Sequence, residues 1–366
     1  MRIAITGASG FIAANLRVRL SEIVQCDVSL ISRDISDADL SVALTEVQIV
    51  YHLAGVNRPG DPTEFATGNV GFSKRLCGAL SQVAPDAHVV YTSSTQAEAD
   101  NDYGRSKRAA EDVVLAHNKG NAIFRLPNVF GKWARPNYNS AVATFCHNVA
   151  RGLPIIVNDP AAALKLVYID DVVDAFLAQL NPITRQAGQA HVTPVYSTTV
   201  GAVAEMITEF RDSRTSLITS RVGTGLTRAL YSTYVAALPT DSFAYDVPMH
   251  SDPRGTFVEM LKTPDCGQFS FFTAHPGVTR GEHYHHSKTE KFLVIQGQAD
   301  FGFRHIETGE IYHILTSGDK AQIVETVPGW THNITNIGEG LMTVMLWANE
   351  IFNREKPDTF AMKVDL

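Results

Sequence analysis

"ITGASGFIA", Ile5–Ala13, follows an apolar run that begins at Ile3 and leads into a helical pattern that starts near Phe11. Gly7, Gly10 and Ala13 keep the spacing G-x-x-G-x-x-G, with a small residue in the third place. In such a strand, turn and helix the first Gly permits the tight turn and the second lets backbone N–H groups approach a pyrophosphate. The third position needs only a small side chain for packing. The stretch predicts an α/β domain that binds a dinucleotide, with Gly7, Ser9, Gly10, Phe11 and Ile12 around the phosphates.

Outward from this turn, "DVSLISR", "QIVYHLAG", "AHVVYTSS", "AIFRLPNVFG" and "LKLVYIDDVVDAFLAQL" alternate strand-like runs with helical ones up to about residue 180. That alternation predicts a doubly wound parallel sheet. Between Arg33 and Gln48 there is room for one helix and little for a further strand. Arg33 ends the second strand, where a guanidinium suits the extra phosphate of NADP, although Asp34 follows and leaves NAD open. In "DYGRSK" Tyr103 and Lys107 lie four apart and share a helix face. A nearby ammonium would favour the ionised phenol and make Tyr103 a general acid for carbonyl reduction near neutrality. From "YTSSTQA", Ser94, with Ser93 and Thr95 as alternatives, would hydrogen-bond the same carbonyl oxygen.

At 366 residues the chain exceeds the size at which single cores stop growing, so two domains are expected. Hydrophobic content of 45% with 19% charged residues places it among globular chains, and a net charge of -7 argues against a nucleic-acid surface. Cys26, Cys77, Cys146 and Cys266 lack CxxC spacing, which fits thiols in a reducing compartment. The start, "MRIAITG", carries no apolar run of signal or membrane length, so a cytoplasmic protein without membrane association is expected. "TGASGFIA", "HLAG" at 52–55, "GNV" at 68–70, "YGRSK", "RLPNVFG" at 125–131 and "VYIDDV" at 167–172 resemble the short-chain dehydrogenase/reductase superfamily, in its extended, nucleotide-sugar-modifying branch. The resemblance implies a Rossmann-like domain, NADPH held also by Leu53, Ala54, Gly55, Tyr103 and Lys107, and catalysis by Ser94, Tyr103 and Lys107.

After Tyr245 the texture changes to period-2 strands broken by Gly and Pro, which predicts an antiparallel all-β barrel or jelly roll. The seam falls within 237–248, and the domains are expected to be 1–243 and 244–366. "GVTRGEHYHHSKTEKFLVIQG", Gly277–Gly297, places His283 and His285 on one side of a strand, so both imidazoles can reach one ion. Glu290 opens the next strand and His332 completes a three-His, one-carboxylate set suited to Zn, Fe, Ni or Mn. His286 faces the other way and is expected in solvent. The spacing G-x5-H-x-H-x4-E-x6-G resembles the first cupin motif, and His332 with Asn336 the second, although Pro328 directly precedes Gly329. "DPRGTFVEMLK" and "TRGEHYH" resemble the deoxy-sugar 3,5-epimerase branch of cupins. That implies His283 as the base that takes a proton next to a ketone, and Arg254 and Arg280 as substrate holders. Ligand and base are competing readings of His283.

A reductase of this kind joined to a metal cupin resembles the CapF family of capsular polysaccharide enzymes over nearly the whole chain. The resemblance implies a zinc-bearing homodimer acting on a UDP-linked 4-keto-6-deoxy amino sugar. The cupin would epimerise C3 and the reductase reduce C4, giving UDP-2-acetamido-2,6-dideoxy-L-talose. Two other readings stand beside it: a reductase whose cupin only binds or dimerises, and a non-catalytic NADP-sensing regulator.

Overall fold

The computed structural model describes residues 1–23, 26–252, 255–258, 260–263, 267–350, 353 and 355–365. They form two compact units, one of residues 1–129 with 165–197, the other of residues 130–164 with 198–366. In the first unit six strands form a parallel sheet in the order Asp27–Ile31, Arg2–Thr6, Ile49–His52, His88–Ser94, Ala122–Leu126, Gly188–Ala190. Its central strands are buried along almost their whole length, as a sheet covered by helices on both faces requires. Ala4, Val50, Val89, Tyr91 and Ile123 pack with Leu40, Leu44, Leu76, Leu80, Ala110 and Val114 of the covering helices. Among the described residues Asp27–Ile31 and Gly188–Ala190 are the edge strands. From Ile31 to Ile49 the chain holds only the helix Asp37–Leu44, started by Ser36, whose hydroxyl accepts from the Asp39 N–H.

The order reverses direction beside Arg2–Thr6, which makes its carboxyl end the topological switch point where open α/β sheets bind ligands. The helix Asp102–His117 starts at Asn101, whose side chain accepts from the Gly104 N–H at 2.7 Å. Only Gly fits at 104, because a Cβ there would stand 2.1 Å from the Gln96 carbonyl oxygen.

In the second unit two five-stranded antiparallel sheets make the expected cupin-like domain. One runs Ala244–Asp246, Gln322–Glu325, Glu290–Gln296, Met342–Ala348, Gln268–Ala274; the other Ile311–Ser317, Gln298–His305, Trp330–Asn336, Thr279–Tyr284, Phe360–Ala361. Their inner faces meet through pairs such as Phe292 and Phe301, ring centroids 5.7 Å apart. Helices Ala141–Ala150, Val200–Ser216 and Gly225–Ala236 pack on one another in this same unit. These helices thus share a compact unit with the cupin-like sheets, and a buried polar network joins them within it. Glu325 pairs with Lys291 and, at 2.7 Å, with Arg214; Tyr231 donates to Glu325 at 3.3 Å and Lys291 to the Tyr245 hydroxyl at 2.9 Å.

Burial alone would raise the Glu325 carboxyl, but Lys291 and Arg214 hold it below the usual carboxylate range. Removing one member of such a buried set leaves an uncompensated charge, so Glu325→Gln should cost about 3–5 kcal/mol in denaturant unfolding of this unit. Because the folded carboxyl is lowered, the wild-type advantage should be complete above the ordinary Glu value of 4.5 and shrink as the pH falls through the lowered one. Equal midpoints for the two proteins at neutral pH would show that the charge set is not a stabilising joint.

Candidate active site and metal centre

At the switch point Gly7 has φ +67°, and a Cβ on it would stand 2.8 Å from the Ala54 N and Cα atoms. The Gly turn and the Leu53–Gly55 turn thus touch backbone to backbone. Gly10 N–H donates to the Gly7 carbonyl at 2.9 Å and opens the helix Phe11–Ser21 with no side-chain cap. The first-turn N–H groups at Phe11 and Ile12, beside the exposed Ser9, remain available to an anion, which fits a pyrophosphate. Arg33 and Asp34 lie exposed in the turn after Asp27–Ile31, the strand in register with Arg2–Thr6. That places Arg33 at the same carboxyl edge as the Gly turn.

A directional hydrogen-bond chain ties these turns together. Ser73 Oγ donates to the Asn69 carbonyl at 2.8 Å, so His52 Nε2, 2.8 Å away, donates to Ser73. His52 Nδ1 then accepts from Thr6 Oγ1 at 2.8 Å, and Thr6 accepts from the Ala54 N–H at 3.1 Å. Burial and the neighbouring Lys107 push His52 down to about 3, which keeps it in this neutral form. Asn69, in the widened helical turn Ala66–Gly71, accepts from Val56 N–H at 2.8 Å and donates to Val56 O and Ser106 Oγ. Its only sequence signal is its place in "GNV".

Tyr103 and Lys107 share a helix face as expected. Ser94, at the carboxyl end of its strand, is near enough to the Tyr103 phenol to favour its ionised form, whereas Ser93 is buried and donates to Glu111 and Thr95 is exposed. Arg125 anchors Glu111 through both carboxylate oxygens, a support that no sequence pattern announced. Lys107 is buried, donates to the Thr92 carbonyl at 2.6 Å and lies 4.4 Å above the Tyr91 ring. One expectation is corrected: the phenol is raised rather than lowered, because burial outweighs the opposing influence of Ser94. Lys107 itself falls to about 7, since burial disfavours its ammonium more than Glu111 favours it.

In the second unit His283, His285, Glu290 and His332 bring one ligand atom each to within 4.8 Å of one another. Thr279–Tyr284 supplies His283, Trp330–Asn336 supplies His332 and Glu290 comes from the facing sheet. The strand ends at Tyr284, so His285 stands in the following loop rather than on the strand, and the alternation argument does not apply to it. His283 Nδ1 donates to the Gly281 carbonyl at 2.9 Å and His285 Nδ1 to the Asp358 carbonyl, which leaves both Nε2 lone pairs for the cluster. Glu290 Oε2 lies 3.1 Å from His285 Nε2 and 3.7 Å from His332 Nε2.

Burial would raise Glu290, but His285, Lys288 and His332 hold it well below the usual range; burial lowers His283 and His332. A carboxylate held low beside His283 and His332, whose charging burial disfavours, with four ligand atoms within 4.8 Å of one another, fits a divalent metal. Lys288 Nζ, 3.0 Å from Glu290 Oε1, and Asp358 are neighbours the motif did not reveal. His286 does face away, but it is buried against Phe360 and Tyr284 at centroid distances of 5.0 and 5.6 Å, which corrects its placement in solvent. Arg280 is exposed, its guanidinium 4.9 Å from the Phe272 ring centroid, and Arg254 lies outside the described residues.

Residues 3–192 match the model of the NAD dependent epimerase/dehydratase family, and residues 250–360 that of the polysaccharide biosynthesis C-terminal domain. A UDP-2-acetamido-2,6-beta-L-arabino-hexul-4-ose reductase of Pseudomonas aeruginosa is 59% identical across 100% of this chain and 99% of its own. The crystal structure of the capsular polysaccharide assembling protein CapF from Staphylococcus aureus superposes with a TM-score of 0.68 at 37% identity, covering 100% of both chains. A UDP-glucuronic acid 4-epimerase from Bacillus cereus, 18% identical with a TM-score of 0.51, covers 57% of this chain and 83% of its own and shares the fold. Among the described residues no helix is long and apolar enough to cross a membrane. With full-length likeness and both family matches in the expected order, the chain belongs to the NAD dependent epimerase/dehydratase family and, within it, to the CapF-like capsule enzymes.

Proposed function

We propose that the protein is a two-activity nucleotide-sugar enzyme of polysaccharide synthesis. The first unit reduces the C4 ketone of a UDP-linked 4-keto-6-deoxy amino sugar, and the cupin epimerises the neighbouring C3. The product is UDP-2-acetamido-2,6-dideoxy-L-talose, made by a cytoplasmic homodimer. The observation that carries the reductase half is that Ser94 ends its strand beside the Tyr103 phenol, with Lys107 one turn further along the same helix. The name of the Pseudomonas aeruginosa relative supports a 4-keto sugar as substrate, and because it names a reductase alone it also supports a second reading in which the cupin only binds or dimerises.

NADPH supplies the hydride when bound. Ser94 and Tyr103 hold the ketone oxygen from two sides, and the raised phenol stays protonated, as a general acid must be before transfer. Tyr103 gives its proton to that oxygen as C4 becomes an alcohol, and the Lys107 ammonium stabilises the phenolate left behind. In the cupin, an ion held by His283, His285, Glu290 and His332 supplies Lewis acidity, for which zinc has the right ligand set. His283 keeps its second role open as the base for the C3 proton. Arg280 and Arg254 are assigned to the substrate.

Incubation with a UDP-4-keto-6-deoxy-HexNAc and NADPH, followed by NMR assignment of the product, tests the whole reading. The talo product supports it, and a reduced sugar with unaltered C3 leaves the reductase reading alone. Tyr103→Phe should lower NADPH oxidation by about 10²–10⁴-fold while NADPH still binds, because the ring stays and only the proton is lost. Turnover near wild type would remove Tyr103 from its role. NADPH should be preferred to NADH in kcat/KM, and Arg33→Ala should erase most of that preference. Equal efficiencies in the unaltered protein would show that Arg33 does not read the extra phosphate.

A further inference from the structure

The loop carrying His285 is held by a segment far along the chain. Asp358 carboxylate oxygens accept from the backbone N–H groups of His286 at 2.8 Å, Ser287 at 2.7 Å and Lys288 at 2.7 Å, and from Ser287 Oγ at 3.1 Å. The Asp358 carbonyl accepts the His285 Nδ1–H. The strand Phe360–Ala361 then pairs with Thr279–Tyr284 through Tyr284 and His283, and Met362 N–H donates to the Glu282 carbonyl at 2.8 Å. On the other side of the loop, Ser232 Oγ donates to the Ser287 carbonyl at 2.7 Å and Arg228 to Ser287 Oγ. Residues 285–288 lie outside any strand, so no sheet ladder fixes the imidazole of His285. Its direction depends on these contacts together with the 3.1 Å approach of its Nε2 to Glu290.

We infer that Asp358 is the positioning residue of the metal centre: its carboxylate gathers the 286–288 backbone, and its carbonyl locks His285 with the proton on Nδ1 and Nε2 toward His283, Glu290 and His332. A carboxylate is suited to this because it offers acceptor sites only, and three N–H donors converge on it. Asn in its place would turn an NH₂ group toward N–H groups or leave some of them unmet. The effect on the metal is indirect, through the ligand's orientation, where losses of about 10–100-fold in metal affinity are usual for outer-sphere partners. The inference rests on the metal reading of the four-residue cluster.

The test uses the full chain stripped by chelator and titrated with Co(II), followed by visible absorption. Asp358→Asn should weaken Co(II) binding about 10–100-fold and alter the band pattern that reports ligand geometry. Thr331→Val, which removes the Thr331 bond to the Met362 carbonyl and loosens the same tail elsewhere, should leave both unchanged. Unaltered affinity and spectrum in Asp358→Asn would overturn the inference, as would an equal loss in Thr331→Val. A wild-type chain that takes up no Co(II) would overturn the metal reading and this inference together. Should Asp358→Asn fail to fold, nitrogen NMR of histidine-labelled, metal-free wild type decides: an Nδ1–H tautomer at His285 supports the lock, and an Nε2–H tautomer overturns it.

Discussion

The backbone contact between Gly7 and Ala54 sets the geometry on which the reductase unit depends. A side chain at residue 7 would stand 2.8 Å from backbone atoms, which real Cβ atoms do not tolerate, and the positive φ there disfavours any residue but Gly. The contact brings the loops after two neighbouring strands together at the switch point. Thr6, His52, Ser73 and Asn69 then connect that meeting point by hydrogen bonds to Ser106, on the helix that carries Tyr103 and Lys107. The glycine turn and the helix of Tyr103 and Lys107 are thus parts of one hydrogen-bonded frame, so their spacing does not depend on surface loops.

The cupin unit meets a different constraint, the cost of removing charge from water. Lys291 and Glu325 are almost fully buried and are tolerated because Arg214, Tyr231 and Tyr245 complete their hydrogen bonding. Glu290, next in sequence to Lys291, is buried too, and its compensation comes from imidazoles and Lys288. Because neighbouring residues of a strand face opposite ways, one strand serves both the polar network through Lys291 and the histidine cluster through Glu290. Thr326 couples the two, accepting the Glu290 N–H at 2.9 Å while its neighbour Glu325 holds Lys291.

Much of this was legible in the residues. The Gly spacing after an apolar run and Tyr103 and Lys107 at helical spacing each encode a local geometry that the fold preserves, and His283, His285, Glu290 and His332 do come together, although His285 reaches the cluster from a loop rather than from the strand. The short stretch between Arg33 and Gln48 likewise foretold a sheet that ends at its second strand. What stayed hidden depends on long-range contact. Asp358 and Glu111 carry no motif and become partners only when distant segments meet. The direction of the Tyr103 shift is not legible in the residues, because helical spacing says which groups are near and nothing about how dry the site is. The burial of His286 is hidden for the same reason: its cover, Phe360, comes from a distant part of the chain.

The central claim is that proton abstraction at C3 and reduction at C4 occur in separate sites, and isotope exchange tests it most directly. A UDP-4-keto-6-deoxy-HexNAc in deuterated water without NADPH should take up deuterium at C3 with wild-type protein and with Tyr103→Phe, and should not with His285→Ala. When NADPH is added, His285→Ala should still reduce the ketone to the C3-unepimerised alcohol. Undiminished exchange in metal-free His285→Ala, or exchange lost in Tyr103→Phe alone, would contradict the account and place both steps in the reductase pocket.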